Sequence, residues 1–287
     1  MKSLAPIVLP PLSALYGAVT RARLSLYRHG TFRTVSLNRP VISVGNITTG
    51  GTGKTPLVEW VAKRLALDGK KVCILTRGYG RPHSNRRVLV SDGTTVFSTA
   101  AEAGDEAYLL ATNLAGIASV ISDANRVSAA KGAIKHLKAD CFVLDDGFQH
   151  LAIARDLNIV TIDATNPWGG GNLLPFGRLR EPLSGLSRAD CVVITRTDQV
   201  EDIPSLRSEI DQLTRDCPLF LSQMETVRIA PLIDSLNNLP DKKRSAAFCA
   251  VGNPQSFLSI CAGRAMNCPL KRLFRTTIHS LRRTSIR

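Results

Sequence analysis

Thr48-Thr49-Gly50-Gly51-Thr52-Gly53-Lys54-Thr55 follows an apolar run, Val41-Ile42-Ser43-Val44-Gly45, and leads into a helix-like run over residues 56–67. A strand, a glycine-rich turn and a helix in that order build a phosphate cradle. Backbone N–H groups of the turn and the positive end of the helix dipole converge on a polyphosphate. A lysine ammonium then reaches the β and γ oxygens, and the hydroxyl that follows ligates Mg²⁺. The usual spacing, G-x-x-x-x-G-K-[ST], asks for glycine at its first position, where this chain has Thr48, so Gly50 and Gly51 supply the flexibility. The eight residues are read as a nucleoside triphosphate site, with Lys54 on the phosphates and Thr55 on the metal.

Outward from this loop, short apolar runs alternate with helical ones. Residues 72–76, 118–122, 141–145, 157–162 and 191–194 read as buried strands. Residues 88–90 and 94–98, split by Asp92-Gly93, read as a hairpin. Helices are expected from Ala103-Gly104-Asp105-Glu106 to about 114, from an Asp123 N-cap to about 138, and over 203–215. Strands alternating with helices imply an α/β fold, a three-layer P-loop NTPase-like domain with a mostly parallel sheet. The run Cys141-Phe142-Val143-Leu144 ends in Asp145-Asp146, and carboxylates at such a strand end, downstream of a phosphate loop, suit Mg²⁺ and its water shell. A second strand ends in Arg77-Gly78-Tyr79-Gly80-Arg81, where ligands of open α/β sheets usually bind. The long Gly/Pro-rich stretch over 166–182 is expected to be functional, because long loops in compact folds seldom persist otherwise.

With 287 residues the chain is long enough for one large domain or two moderate ones. A hydrophobic content of 44% and a mean hydropathy of +0.03 mark a globular protein, neither disordered nor polytopic. None of the seven cysteines forms a C-x-x-C pair, so reduced, mostly buried thiols are expected and a zinc site is not. The net charge of +14 is concentrated at the two ends. Residues 1–58 hold seven basic residues and no acid, and residues 242–287 hold ten and none, leaving 20 basic against 23 acidic between them. Basic ends suit an anionic partner, and without an Arg/aromatic nucleic-acid motif a membrane surface is favoured over RNA or DNA. Near the N-terminus, Leu12, Leu15, Tyr16, Val19, Ala22 and Leu26 fall at helical spacing with Arg21, Arg23 and Arg28 off the stripe. Such a helix can lie in a membrane interface or pack on its own protein.

The motifs in hand resemble one family, the tetraacyldisaccharide 4′-kinases, the lipid A 4′-kinases of Gram-negative bacteria. The resemblance rests on Val44-Gly45-Asn46-Ile47-Thr48 through Lys54-Thr55-Pro56, on Thr76-Arg77-Gly78-Tyr79-Gly80-Arg81, and on Ala103-Gly104-Asp105-Glu106. It continues in Leu144-Asp145-Asp146-Gly147-Phe148-Gln149-His150, in Leu173-Leu174-Pro175-Phe176-Gly177-Arg178-Leu179-Arg180-Glu181-Pro182, and in Val251-Gly252-Asn253-Pro254. The family also begins its phosphate loop with Thr. The resemblance spans about residues 5–258 and implies a membrane-associated kinase at the cytoplasmic face of the bacterial inner membrane. Its cofactors would be ATP and Mg²⁺, and its acceptor the 4′-hydroxyl of an acylated glucosamine disaccharide 1-phosphate, giving lipid IVA. It further implies Asp105 as the base, Asp146 with Thr55 on the metal, Asp145 supporting the metal or the base, and Tyr79, Arg126, His150, Arg180 and Glu181 around the substrate. No protein partner is identifiable.

The expected division is a membrane-associating helix over 1–35, a kinase core over 36–240, and an incomplete second α/β lobe over 241–287. An apolar run over 246–251 reads as a strand entering that lobe. Beyond about residue 259 the Asp-His-His-like and Thr-x-Lys-Asp segments of the family have no counterpart, and the chain ends in an acid-free, arginine-rich tail. Two other readings stay open on the sequence: a nucleotide-switched membrane ATPase, and an inactive kinase remnant that retains ATP binding.

Overall fold

The computed structural model describes residues 5–81, 83, 85–214 and 217–223, all within one compact unit, Met1–Met224. The expected second lobe, its strand over 246–251 and the basic tail lie outside the described residues.

Eight strands form one sheet: β1 (Val41–Gly45), β2 (Val72–Thr76), β3 (Val88–Ser91), β4 (Ala118–Ser122), β5 (Cys141–Asp145), β6 (Leu157–Asp163), β7 (Cys191–Thr195) and β8 (Leu219–Leu221). Their order is β3-β4-β2-β5-β1-β6-β7-β8, and every pairing is parallel except β3 with β4. The helices are α1 (Ala5–Arg28), α2 (Lys54–Leu67), α3 (Ala100–Ala103), α4 (Asp105–Asn113), α5 (Arg126–His136) and α6 (Ile203–Leu213).

Strand residues alternate between two faces, and the core divides accordingly. Val44, Val72, Ile74, Ala118, Val120, Cys141 and Val143 pack with Val58, Val61 and Ala62 of α2 and Ala107, Leu110 and Ala111 of α4. Val41, Cys73, Leu75, Ile121, Phe142 and Leu144 face the other way, onto Ala129, Ala130 and Ala133 of α5. Val160, Ile162, Val192 and Ile194 meet Leu206 and Ile210 of α6. Both faces of these near-continuous apolar strands are covered, as a parallel sheet requires. This is the α/β arrangement expected from the sequence. It sets β1 beside β5, so the phosphate loop and the Asp145-Asp146 pair leave adjacent strands at the same edge of the sheet.

Several local expectations are corrected. Asp123 does not cap α5: the N-cap is Asn125, whose side chain accepts from Ser128 N, while Asp123 accepts from Asn125 N and pairs with Arg87. Residues 94–98 are no strand; they meet the sheet only at the Ser91–Val96 bridge, and residues 88–91 instead pair antiparallel with β4. Asp92 spends its side chain on the turn, accepting from the N–H groups of Thr94 and Thr95. Helix α1 runs from Ala5 to Arg28 with Pro10 and Pro11 inside it. Pro10 and Pro11 are on its exposed side, where carbonyls left without an N–H partner can face solvent.

The apolar stripe of α1, Tyr16 excepted, does not face the protein. Leu12, Leu15 and Val19 are 46%, 62% and 59% exposed. The inward side carries Ser13, Tyr16 and Gly17 instead. Ser13 Oγ donates to the Leu173 carbonyl at 2.8 Å, Tyr16 Oη to the Arg180 carbonyl at 2.8 Å, and Arg23 reaches the Gln149 carbonyl at 3.1 Å. Among the described residues no helix is long and apolar enough to cross a membrane.

Candidate active site

The phosphate loop is held from two sides. On the sheet side, Thr52 Oγ1 lies 2.7 Å from Thr161 Oγ1, and Thr195 Oγ1 donates to the Thr52 carbonyl at 3.1 Å. Gly53 sits at φ 80°, where a side chain is strained, and a Cβ there would come within 3.2 Å of Thr195 Cγ2. On the outer side the 166–182 loop pairs with it as a short antiparallel ribbon. Thr49 N donates to the Arg178 carbonyl and Arg180 N to the Ile47 carbonyl, both at 2.7 Å, about a Thr48–Leu179 bridge. That ribbon is why residues 166–182 are long: they return to brace the loop and deliver Arg180 beside it.

Gly53 is also the N-cap of α2, and no side chain caps the helix. The first-turn N–H groups and the helix dipole are thus left to an anion in front of Lys54 and Thr55. Thr49, Gly50 and Gly51 form the loop's rim, and Thr55 is half-buried on the first turn of α2.

Lys54 and Arg180 converge on one carboxylate. Arg180 Nη1 lies 2.6 Å and Lys54 Nζ 3.8 Å from Asp146 Oδ1. Burial works against ionisation of Asp146, but the Arg180 hydrogen bond and the charges of Arg180, Lys54 and Arg126 outweigh it and hold its pKa below the ordinary carboxylate value. Asp146 takes a left-handed backbone, φ 50°, uncommon outside glycine. Arg126, only 3% exposed at the start of α5, fixes that turn by donating to the carbonyls of Asp145 at 2.7 Å and Asp146 at 3.2 Å.

Asp145 differs in state from its neighbour. Burial, followed by the charges of Glu106 and Asp146, pushes its carboxyl up to about 6 against the pull of Arg126 and Lys54. Its Oδ2 is buried without a hydrogen-bond partner. The Glu106 charge comes from the first turn of α4. Asp105, one residue before, is exposed on that same turn. Gly104 precedes it at φ 91°, with so little space that a Cβ would approach the Tyr79 carbonyl to 2.9 Å. Residues 77–81 and the α4 N-terminus therefore border each other, and the Tyr79 side chain is 87% exposed.

His150 follows the same turn. Burial, then the charges of Arg126, Arg155, Arg23 and Arg77, depress its pKa to about 4, and its Nε2 is buried without a partner. Glu181 lies deeper. It is 1% exposed, with Oε1 accepting from Gln149 Nε2 at 2.8 Å and Oε2 from Arg188 at 2.7 Å. Gln149 Nε2 also donates to the Asn46 carbonyl at 2.8 Å. The sequence alone assigns Asn46 and Gln149 no role. Their signal was a lone amide at each strand-to-loop junction, and only the fold reveals that the two meet.

Chemically, the assembly offers a polyphosphate an uncapped helix and two cations, and offers a hard cation two carboxylates and a hydroxyl. The two acids differ in pKa, which is the pattern of a site built for charge and proton handling.

The family model described as tetraacyldisaccharide-1-P 4′-kinase matches residues 5–275, running past the point where the sequence resemblance was expected to end. A relative named tetraacyldisaccharide 4′-kinase from Geobacter sulfurreducens is 50% identical over 184 residues, covering 64% of this chain and 52% of that protein. One of the same name from Desulfotalea psychrophila is 40% identical over 251 residues, covering 86% and 71%. With 61% of the Geobacter metallireducens relative also covered, the chain spans less than two thirds of the first relatives it matches. The crystal structure of the "apo" form of LpxK from Aquifex aeolicus in complex with ATP superposes with a TM-score of 0.72 at 32% identity, covering 93% of this chain and 80% of that one. The chain belongs to the tetraacyldisaccharide-1-phosphate 4′-kinase family.

Proposed function

We propose that this chain transfers the γ-phosphoryl group of ATP to the 4′-hydroxyl of an acylated glucosamine disaccharide 1-phosphate, giving lipid IVA. One observation carries the reading: Lys54 of the phosphate loop and Arg180 converge on Asp146 Oδ1, at 3.8 and 2.6 Å, beside an Asp145 carboxyl raised to about 6. The names of the relatives support the acceptor, and the ATP of the Aquifex aeolicus structure supports the nucleotide. Neither a nucleotide-switched ATPase nor an inactive remnant has comparable support.

In this reading the amides of residues 48–55 and Lys54 hold the phosphates. Thr55 and Asp146 would hold Mg²⁺, with Asp145 behind them. The fit is good, because Asp145 Oδ2 is a buried oxygen without a protein partner, and all three donors are hard oxygens, as Mg²⁺ prefers. Bound there, Mg²⁺ would neutralise charge developing on the phosphates. Asp105, exposed at the start of α4, takes the proton of the sugar hydroxyl as the new P–O bond forms. Arg126 sets the turn that carries both aspartates, and Tyr79, His150 and Arg180 border the acceptor, with Glu181 anchoring Gln149 behind them. Helix α1 lays Leu12, Leu15 and Val19 into the cytoplasmic leaflet of the inner membrane, where the acceptor's acyl chains reside. Residues 1–35 serve as the membrane element and 36–240 as the kinase core.

The test is transfer of radiolabelled phosphate from ATP to the tetraacylated disaccharide 1-phosphate. Label in the lipid supports the proposal. ATP hydrolysis indifferent to acceptor would favour the switch ATPase, and ATP binding with no turnover would favour the remnant.

A further inference from the structure

Asn46 carries the chain from β1 into the phosphate loop and is fully buried, at 0% exposure. Its side-chain amide works in both directions. Nδ2 donates to the Thr48 carbonyl at 2.6 Å and lies 3.4 Å from Thr48 Oγ1. Oδ1 accepts from Lys54 Nζ at 3.2 Å and from Arg180 Nη1 at 3.4 Å. Its backbone carbonyl accepts from Gln149 Nε2 at 2.8 Å, the nitrogen that also serves Glu181. One residue therefore ties together the head of the phosphate loop, the turn after β5 and the 166–182 loop.

Few side chains could stand here. An amide both donates and accepts; a carboxylate cannot donate to the Thr48 carbonyl, and a serine hydroxyl is too short to span the same partners. The neutral charge matters as much as the shape. Oδ1 lies between two cations, and a neutral oxygen orients them without capturing them. They can then exchange it for phosphate oxygens, whose negative charge adds Coulomb attraction to the hydrogen bond. Both cations already pair with Asp146, at 2.6 and 3.8 Å, and a second carboxylate in the place of Asn46 would hold them more tightly before any triphosphate arrived.

We propose that Asn46 is a positioning residue for the triphosphate: it pins the head of the phosphate loop through the Thr48 carbonyl and holds Lys54 and Arg180 pointed at the phosphates by a contact they can release. The inference rests on the reading of residues 48–55 as an ATP site.

The test is calorimetric titration of the full chain with ATP in magnesium buffer, with a thermal melt for each protein. Asn46→Asp is expected to weaken ATP binding about 10- to 100-fold and Asn46→Ser about 3- to 10-fold, the range that loss or capture of one or two charge-assisted hydrogen bonds produces. Asn158→Ala serves as the control. It removes a buried amide at the far end of β6, bonded to Asp190, and should lower the melting temperature while leaving ATP affinity unchanged. Should Asn46→Asp fail to fold, Asn46→Ser decides. Asn46 variants that melt lower yet bind ATP as the wild type does would show a merely structural amide and overturn the inference. Absence of ATP binding by the wild-type chain would overturn the nucleotide reading itself, and is distinguishable because it appears before any substitution is made.

Discussion

Arg180 grips Asp146 from a backbone that is itself pinned at both ends of the peptide. Its Nη1 lies 2.6 Å from Asp146 Oδ1, its N–H bonds to the Ile47 carbonyl at 2.7 Å, and its carbonyl accepts the Tyr16 hydroxyl at 2.8 Å. A guanidinium delivered from so fixed a frame loses little entropy on engaging a phosphate. Arg180→Ala should lower kcat/KM about 10- to 100-fold, the equivalent of one charge-assisted hydrogen bond. Arg180→Lys should recover only part of this, since an ammonium lacks the fork geometry. Steady-state kinetics decide, and a change within about twofold for Arg180→Ala would refute the assignment.

Asp105 stands apart from the Arg180–Asp146 cluster, exposed at the start of α4. A base acts on the acceptor, not on the nucleotide, so the two functions should separate. Asp105→Ala is expected to keep ATP affinity within about threefold and cut kcat by about 10²–10⁴. Near-normal lipid phosphorylation by that variant would remove Asp105 from the mechanism, and Glu106, whose charge reaches Asp145, would become the next residue to test.

The elements that carry the site were legible because their signals are local. An apolar run ending in Gly-x-Gly-Lys-Thr, and another ending in Asp-Asp, gave β1, α2 and β5 to within two residues. What was missed depends on contacts between distant segments. Asn46 is an ordinary polar residue in the sequence and becomes central only when the fold brings Thr48, Lys54, Arg180 and Gln149 around it. Asp123 looked like a helix cap because Asp favours that position, but Arg87 claimed its carboxylate and Asn125 took the cap. Periodicity located the stripe on α1 without saying which way it points. Gly17 and Ser13 decide that, since small residues let the helix approach Leu173 closely.

Asp145 should destabilise the chain at neutral pH when no metal is present. Its pKa of about 6 in the folded chain stands above the ordinary 3.8, so between those values the folded chain keeps a proton that the unfolded chain has lost. Stability therefore falls as pH rises through this window, by up to roughly 3 kcal/mol once complete. In the presence of a chelator, Asp145→Asn should be more stable than the wild type at pH 7.5 and lose that advantage near pH 4. Urea melts at the two pH values measure it, and an Asn variant less stable at pH 7.5 would contradict the raised carboxyl.

His150 offers a spectroscopic readout of anion binding. Burial and four arginine charges hold its pKa near 4, so the imidazole is neutral at pH 7. A phosphate-bearing acceptor among those arginines would offset their repulsion and raise the pKa. Followed by NMR of the imidazole C–H resonances, the midpoint should move upward by about one unit or more when the disaccharide 1-phosphate is added. A midpoint that stays near 4 with saturating acceptor would place the acceptor's phosphate elsewhere.

If the outward stripe of α1 is the membrane contact proposed above, attachment and folding should separate by substitution. Leu15 and Val19 are more than half exposed, so their apolar surface contributes little to the stability of this unit. In a lipid interface, each would bury enough apolar area to contribute about 1.5–3 kcal/mol. Replacing both with Glu removes that burial and adds charge that anionic headgroups repel. Leu15→Glu with Val19→Glu should lower binding to anionic phospholipid vesicles at least about 100-fold in co-sedimentation. The melting temperature and ATP affinity should stay at the wild-type values, because Ser13, Tyr16 and Gly17 on the inward side are untouched. The paired change Tyr16→Phe supplies the contrast. It removes the hydroxyl that holds the Arg180 carbonyl and leaves the stripe intact, so vesicle binding should persist while kcat/KM for ATP falls. If the Glu pair melts lower and still binds vesicles, the stripe packs against protein and the membrane contact lies elsewhere.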